Sequence, residues 1–275
     1  MGFLWRASGV RARTVDLETL KYWKANGCLA VFFGIESGSQ QMLDVMEKNT
    51  TVQMNVDALK WTYEAGLFTV VQLVLGMPGE TDETIKETTE FLTAVSHYAS
   101  MHQGLPGSSQ SVNYAQALPG TPLYEYAREN GYIGKNIDDE EQYLLRISDT
   151  DAYQSDHFTN YTQQPLLKVL IWPHRMGGEV NASYLEHVHR FRCSFPELIW
   201  DLLLSILRLV FGTERLDRIS ADSPLHRRLS DVLSGRADKD KTGSLNLRRS
   251  LALTLFLNPT VRKHAYPLLA LAIAI

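Results

Sequence analysis

Three stretches of this 275-residue chain set small residues, hydroxyls and, in two of them, a carboxylate directly behind apolar runs: Gly34-Ile35-Glu36-Ser37-Gly38-Ser39, Gly76-Met77-Pro78-Gly79-Glu80-Thr81 and Leu118-Pro119-Gly120-Thr121-Pro122. Small residues admit a ligand close to the main chain, and a carboxylate with neighbouring hydroxyls can hydrogen-bond sugar hydroxyls or an ammonium group. Ligands of α/β proteins sit beyond the carboxyl ends of the strands, so the position of these stretches is as informative as their composition. Taken singly, each also reads as a strand-to-helix turn with a capping Ser, Thr or Glu. Three in series at strand ends point to one pocket.

Other candidates are weaker. His189 and Cys193 share one helix face at i, i+4, near Glu186 and His187, but no third metal ligand follows and a polar helix face explains them. Asp238-Lys239-Asp240-Lys241-Thr242-Gly243 begins like a calcium loop, yet Arg249 stands where the bidentate glutamate belongs, which leaves a solvated loop. Tyr153, His157, Tyr161, Trp172 and His174 either line a substrate face or pack a helical region onto a sheet.

The elements that must position the three stretches follow from hydrophobic periodicity. A helix is expected over 16–26, capped by Asp16 and stopped by Gly27, and the apolar run 28–33 behind it reads as a strand buried on both faces. Helices over 39–46 and 52–65 and a valine-rich strand over 67–75 repeat the unit. A third helix capped at Thr81 or Asp82 runs to about residue 96, and a strand over 111–117 and a helix over 123–130 complete the alternation. Strands alternating with helices imply a parallel sheet. With a further strand near residues 3–7 only about four are available, too few to close an eight-stranded barrel, so the expected fold class is α/β with half of such a barrel. From residue 138 onward the pattern is helical: 140–147, 165–176, 182–192, 195–211, 224–234, 245–257 and 260–274. The organisation expected is a partial barrel over 1–137, a linker over 138–160 and a helical extension over 161–275.

Composition limits the function classes. Apolar residues make up 44% and charged ones 21%, as in ordinary folded proteins, and a net charge of −4 provides no general field for a nucleic acid. Two cysteines, Cys28 and Cys193, exclude a disulfide scaffold and make a reducing, cytoplasmic setting the expectation. Neither 198–211, interrupted by Asp201 and Arg208, nor 265–275 is a convincing membrane span.

Trp5 with Arg11, Ala25-Asn26-Gly27-Cys28, the stretch 34–40, Met46-Glu47-Lys48-Asn49-Thr50-Thr51, Leu75-Gly76-Met77-Pro78-Gly79-Glu80-Thr81 and Leu118-Pro119-Gly120-Thr121-Pro122-Leu123-Tyr124 together resemble the second half of a radical S-adenosylmethionine (radical SAM) enzyme core. The resemblance covers about residues 1–135 and is nearest to the branch that carries a cobalamin-binding domain. It implies that Glu36 and Ser37 contact the ribose and amino-acid part of S-adenosylmethionine, and that Arg11 pairs with its carboxylate through a bidentate fork. It also implies that Val74, Leu75, Gly76 and Met77 line the adenine, with Asn113 or Tyr114 as a further cofactor or substrate contact.

The departure from that family is as informative as the match. Its members hold a four-iron, four-sulfur cluster on three clustered cysteines, and this chain has no such motif. Cys28 ahead of an apolar strand reads as a small buried hydrophobe. The expected function is therefore the C-terminal portion of a radical SAM enzyme, with cobalamin as a further cofactor. It would transfer a methyl group to, or rearrange, an unactivated carbon of a small-molecule or peptide substrate. Its partners would be a reductant such as flavodoxin or ferredoxin and the missing N-terminal barrel half. The alternative is a non-catalytic remnant or scaffold that keeps the half-barrel.

Overall fold

The computed structural model describes residues 3–103, 109–148 and 158–188, with Ser194, Pro196, Ile199, Leu203 and Val261. Four parallel strands, β1 (Trp5–Val10), β2 (Cys28–Glu36), β3 (Val70–Leu75) and β4 (Ser109–Tyr114), form one sheet in sequential order. Crossovers of one hand between strands in sequential order put all their helices on one face, which is the topology of a barrel wall. Between the strands run α1 (Leu17–Ala25), α2 (Gln40–Val45), α3 (Val52–Glu64) and α4 (Asp82–Gln103), and α5 (Pro122–Glu129), α6 (Ile137–Ser148) and α7 (Leu166–Val188) follow.

Local chemistry sets the helix starts. Asp16, Thr51 and Thr121 each lend a side-chain oxygen to an N–H of the first turn, at Thr19, Met54 and Tyr124, and Pro122 occupies the first position of α5 where its missing donor costs nothing. After α3 the Leu67 N–H returns to the Thr62 carbonyl, so residues 65–67 finish the helix and β3 starts at Val70 rather than at residue 67.

The two faces of the sheet differ. Val31, Phe33, Ile35, Val71, Leu73 and Leu75 are buried on the helix side with Leu20, Leu59 and Ile85. Each such side chain contributes about 1.5–3 kcal/mol of burial. On the other face Phe32, Gly34, Glu36, Val70, Gln72, Val74, Ser111 and Asn113 are only partly covered. β2 is therefore not buried on both faces as its apolar run implied; Leu29 is 48% exposed, because the helices of a sequentially wound sheet cover one side only.

The chain divides into two compact units. Met1–Phe91 with Ser108–Leu170 carry the sheet, and Leu92–Gly107 with Ile171–Ile275 form the second. The stretch expected as a linker contains α6, whose Tyr143 is buried with Ala117, Tyr124 and Tyr161 in a satellite core of the first unit. Two predicted helices, 165–176 and 182–192, are joined in α7. Pro173 and the Gly177-Gly178 pair fail to break it because Val169, Trp172, Met176, Val180 and Tyr184 keep a buried stripe across them, and Arg175 pairs with Glu179 at 2.7 Å. Of the remaining helices predicted from residue 195 onward only Pro196, Ile199, Leu203 and Val261 are described, each helical, and His189, Cys193, Tyr153, His157 and the 238–243 loop lie outside the described residues.

Candidate functional site

At the carboxyl ends of β1 and β2 a cleft of about 290 Å³ is lined by Arg11, Arg13, Glu36, Lys48, Asn55 and Gln72, among others. Arg11 follows β1 directly and caps a single 3-10 turn, Ala12–Thr14, whose last residue bonds back to the Arg11 carbonyl. Glu36 ends β2 with φ +66°, and the Ser37 N–H donates to the Ile35 carbonyl at 2.8 Å, so Glu36 is the centre of a tight three-residue turn. A non-glycine residue in that region costs about 1–3 kcal/mol and persists where its surroundings over-determine it. Two further residues of positive φ, Glu47 (52°) and Asn49 (51°), flank Lys48 in the loop on the other side of the cleft. Strain is concentrated around one opening.

The loop is pinned so that Lys48 reaches Glu36. Gln40 donates to the Thr50 carbonyl and accepts from the Val52 N–H, and the Lys48 N–H returns to the Leu43 carbonyl. The Lys48 ammonium then donates to Glu36 Oε1 at 2.7 Å. Behind them Asn55, 1% exposed on the inner face of α3, donates to the Ile35 carbonyl at 3.3 Å, while its Oδ1 is buried with no hydrogen-bond partner. A buried acceptor without a donor is costly, which marks Asn55 as a place where a ligand donor would be welcome. Sequence reading missed Lys48 and Asn55 as site residues. The signal for Asn55 was an amide among the apolar positions of α3, and Lys48 stood in a quoted motif without a role.

Ser37 turns away from this cleft. It is 2% exposed, its hydroxyl lies 3.1 Å from Thr88 Oγ1, and it accepts from the Ser39 N–H. Gly38 fits beside it only because it lacks a Cβ, which would stand 2.5 Å from Phe91 Cβ and 2.8 Å from Thr88 Cα. The Ser37-Gly38-Ser39 part of the motif fastens β2 to α4, and Gly34 and Glu36 line the opening.

At the ends of β3 and β4 the surroundings are different. Gly76, at φ +92°, donates its N–H to Glu80 Oε2 at 2.5 Å. The Glu80 side chain is buried, and desolvation pushes its carboxyl up to about 8 against two main-chain hydrogen bonds that pull it down. Phe158 lies against Gly76 and packs tilted against Tyr114, 4.5 Å between ring centroids. Burial pushes the Tyr114 phenol up to about 12. Val74 and Met77 pack against the satellite core that holds Tyr143 and Tyr161, and Asn113 pairs in register with Val74. Arg11 and Glu36 thus share the β1–β2 cleft, while Val74, Gly76, Met77 and Asn113 belong to the neighbouring β3–β4 rim.

Cys28 is fully buried, with its thiol 3.4 Å from the Ala30 carbonyl. In the second unit His97 Nε2 lies 3.1 Å from the Ser183 hydroxyl and its ring 4.7 Å from that of His187, and burial, then the neighbouring His187, hold His97 below its usual range. Among the described residues no three His, Cys, Asp or Glu side chains converge on one point, and no helix is long and apolar enough to cross a membrane.

Residues 3–92 match the family model described as the Radical SAM superfamily. An uncharacterized methyltransferase of Pyrococcus horikoshii is 33% identical over 134 residues, 47% of this chain and 26% of the relative. The anaerobic magnesium-protoporphyrin IX monomethyl ester cyclase of Cereibacter sphaeroides is 37% identical over 84 residues, 29% of this chain and 14% of the relative. The solved structure of TsrM, a radical S-adenosylmethionine methyltransferase from Kitasatospora setae with cobalamin and a [4Fe-4S] cluster bound, aligns with 46% of this chain and 22% of its own at 21% identity and a TM-score of 0.38. The cobalamin-dependent S-adenosylmethionine radical enzyme OxsB, with aqua-cobalamin bound, aligns with 97% and 43% at 13% identity and a TM-score of 0.41. These two scores are too low to extend the likeness to the whole fold. The chain spans about a quarter of the length of the first of these relatives.

Proposed function

We propose, on the premise that this chain belongs to the radical SAM superfamily through residues 3–92, that its strand rim binds S-adenosylmethionine, amino-acid end in the β1–β2 cleft and nucleoside end along β3. The observation that carries this reading is the gathering of Arg11, Glu36, Lys48 and Asn55 in the lining of one cleft at the strand ends. A zwitterionic ligand end asks for a cation facing its carboxylate and an acceptor facing its ammonium group or the adjacent sugar hydroxyls. Arg11 and Lys48 are the cations, and Glu36 and Asn55 the acceptors. The Lys48–Glu36 pair holds the carboxylate in place before a ligand arrives, and the strained turn at Glu36 fixes its direction. Bound S-adenosylmethionine supplies an activated sulfonium carbon; the residues here bind and orient it.

An iron–sulfur cluster does not fit this chain. It has two cysteines, one of them the buried Cys28, and no converging ligand set among its described residues. The reading therefore has this chain work with a cluster-bearing segment outside it and an external reductant, on a small-molecule or peptide substrate. Methyl transfer is the reaction class favoured by the methyltransferase relative of Pyrococcus horikoshii; cobalamin as a further cofactor and a cytoplasmic setting are kept from the sequence reading. A second reading has the half-barrel bind the nucleoside without reacting it.

Calorimetric titration of the full chain with S-adenosylhomocysteine tests the site under either reading. Saturable binding that Glu36→Gln weakens at least tenfold is expected. No heat at millimolar ligand, or equal binding by the variant, contradicts it. Formation of 5′-deoxyadenosine after reconstitution with a three-cysteine segment, iron, sulfide and reductant separates the enzyme from the remnant.

A further inference from the structure

We infer that Phe158 is a removable plug at the nucleoside end of the site: its ring fills the space over Gly76 that a purine would take, and it leaves when a nucleoside binds. The inference rests on the reading that the strip from Val74 to Met77 carries the base. The edge of the ring lies so close to Gly76 that a Cβ built there would stand 2.4 Å from Cε2 and 2.8 Å from Cζ. Carbon atoms in contact need roughly 3.5–4.0 Å, so no second ring passes between Phe158 and the main chain. The same ring packs against that of Tyr114, tilted by 35° with centroids 4.5 Å apart. Gly76 and Tyr114 are both buried, while Phe158 itself is half-buried.

The open part of the site agrees with this. Its lining stops at Glu36 and Gln72 without reaching Gly76, so the cleft of about 290 Å³ does not include the base strip. The rim as described has room for an amino-acid end and keeps the base strip covered.

Exchange is chemically easy. Phenylalanine brings no polar group, so its departure breaks no hydrogen bond. The Gly76 N–H is already held by Glu80 and needs nothing from the ring. A purine would replace one aromatic contact with Tyr114 by another, and aromatic pairs gain more than their burial alone. Gly76 serves both occupants, since any side chain there would bar the plug and the base alike.

Titration of the full chain with 5′-methylthioadenosine, which has the base but no amino-acid end, reads this end alone. Phe158→Ala is expected to bind it at least fivefold more tightly than the wild type, and Phe158→Leu, which retains an apolar filler, to fall between. Affinity for L-methionine should be unchanged in both. If Phe158→Leu melts like the wild type and neither variant gains affinity, or either loses it, the plug is overturned, and S-adenosylhomocysteine binding by the wild type shows that the cleft reading survives. If no form binds either nucleoside, the reading of the site falls and the plug falls with it.

Discussion

The rim over β1 and β2 is charged, strained and open, whereas the rim over β3 and β4 is aromatic, cinched by a buried acid and covered. One sheet edge thus offers two chemistries side by side, and they match the two ends of a ligand that is zwitterionic at one end and aromatic at the other. The difference has a physical cause. On the first side Glu36 and Lys48 are held by turns and a pinned loop, which leaves their heads facing the cleft. On the second, the chain after α6 returns with Phe158 and Tyr161 and lays rings on the strand ends.

The largest effect should come from the covered rim. Gly76→Ala combines a left-handed φ with a collision against Phe158, and a loss of about 2–5 kcal/mol is expected by chemical denaturation. Gly79, at φ +80° but with nothing within 4 Å of a Cβ, should lose only about 1–2 kcal/mol as Ala. Equal losses would show that Phe158 does not press on Gly76.

Tyr143→Phe comes next. It removes a buried hydroxyl that donates to the Ala117 carbonyl, accepts from the Ala117 N–H and lies 3.1 Å from that of Tyr161, and about 1–3 kcal/mol should be lost. A melt unchanged from the wild type would remove the satellite core as the support of this rim.

Glu80 sharpens the comparison through pH. Its folded value, about 8, lies above the ordinary 4.5, so between those values the folded chain holds a proton that the unfolded chain has released. The stability contributed by the neutral acid is complete below about pH 4.5 and is lost as pH rises toward 8, at up to about 1.4 kcal/mol per pH unit. Glu80→Gln should flatten this part of the stability profile while remaining folded; a slope equal to that of the wild type would place the titration elsewhere. The open rim should show the smallest structural effect. Lys48→Met removes one member of a partly exposed pair, and less than about 1 kcal/mol is expected in urea.

Much of this was legible in the sequence where the interaction is local. Asp16, Thr51 and Thr121 cap helices within three residues of themselves, and the corresponding starts agree closely with those expected. The strand-end position of Glu36 followed from the apolar run ahead of it. Long-range matters were not legible. That Ser37 is committed to Thr88, 51 residues away, depends on how α4 docks, and that Phe158 reaches Gly76 depends on the return of the chain after α6. The merging of two predicted helices in α7 follows from a buried stripe that outweighs Pro173 and the glycine pair, a packing effect that residue propensities do not contain.

The division of labour along the rim is tested most directly by measuring how Lys48→Met changes the affinity of the full chain for two ligands that differ only in their amino-acid end. Affinity for S-adenosylhomocysteine should fall at least tenfold, while that for 5′-methylthioadenosine should stay within a factor of two. Equal changes for both ligands, or none for either, would contradict the assignment of the charged cleft to the zwitterionic end.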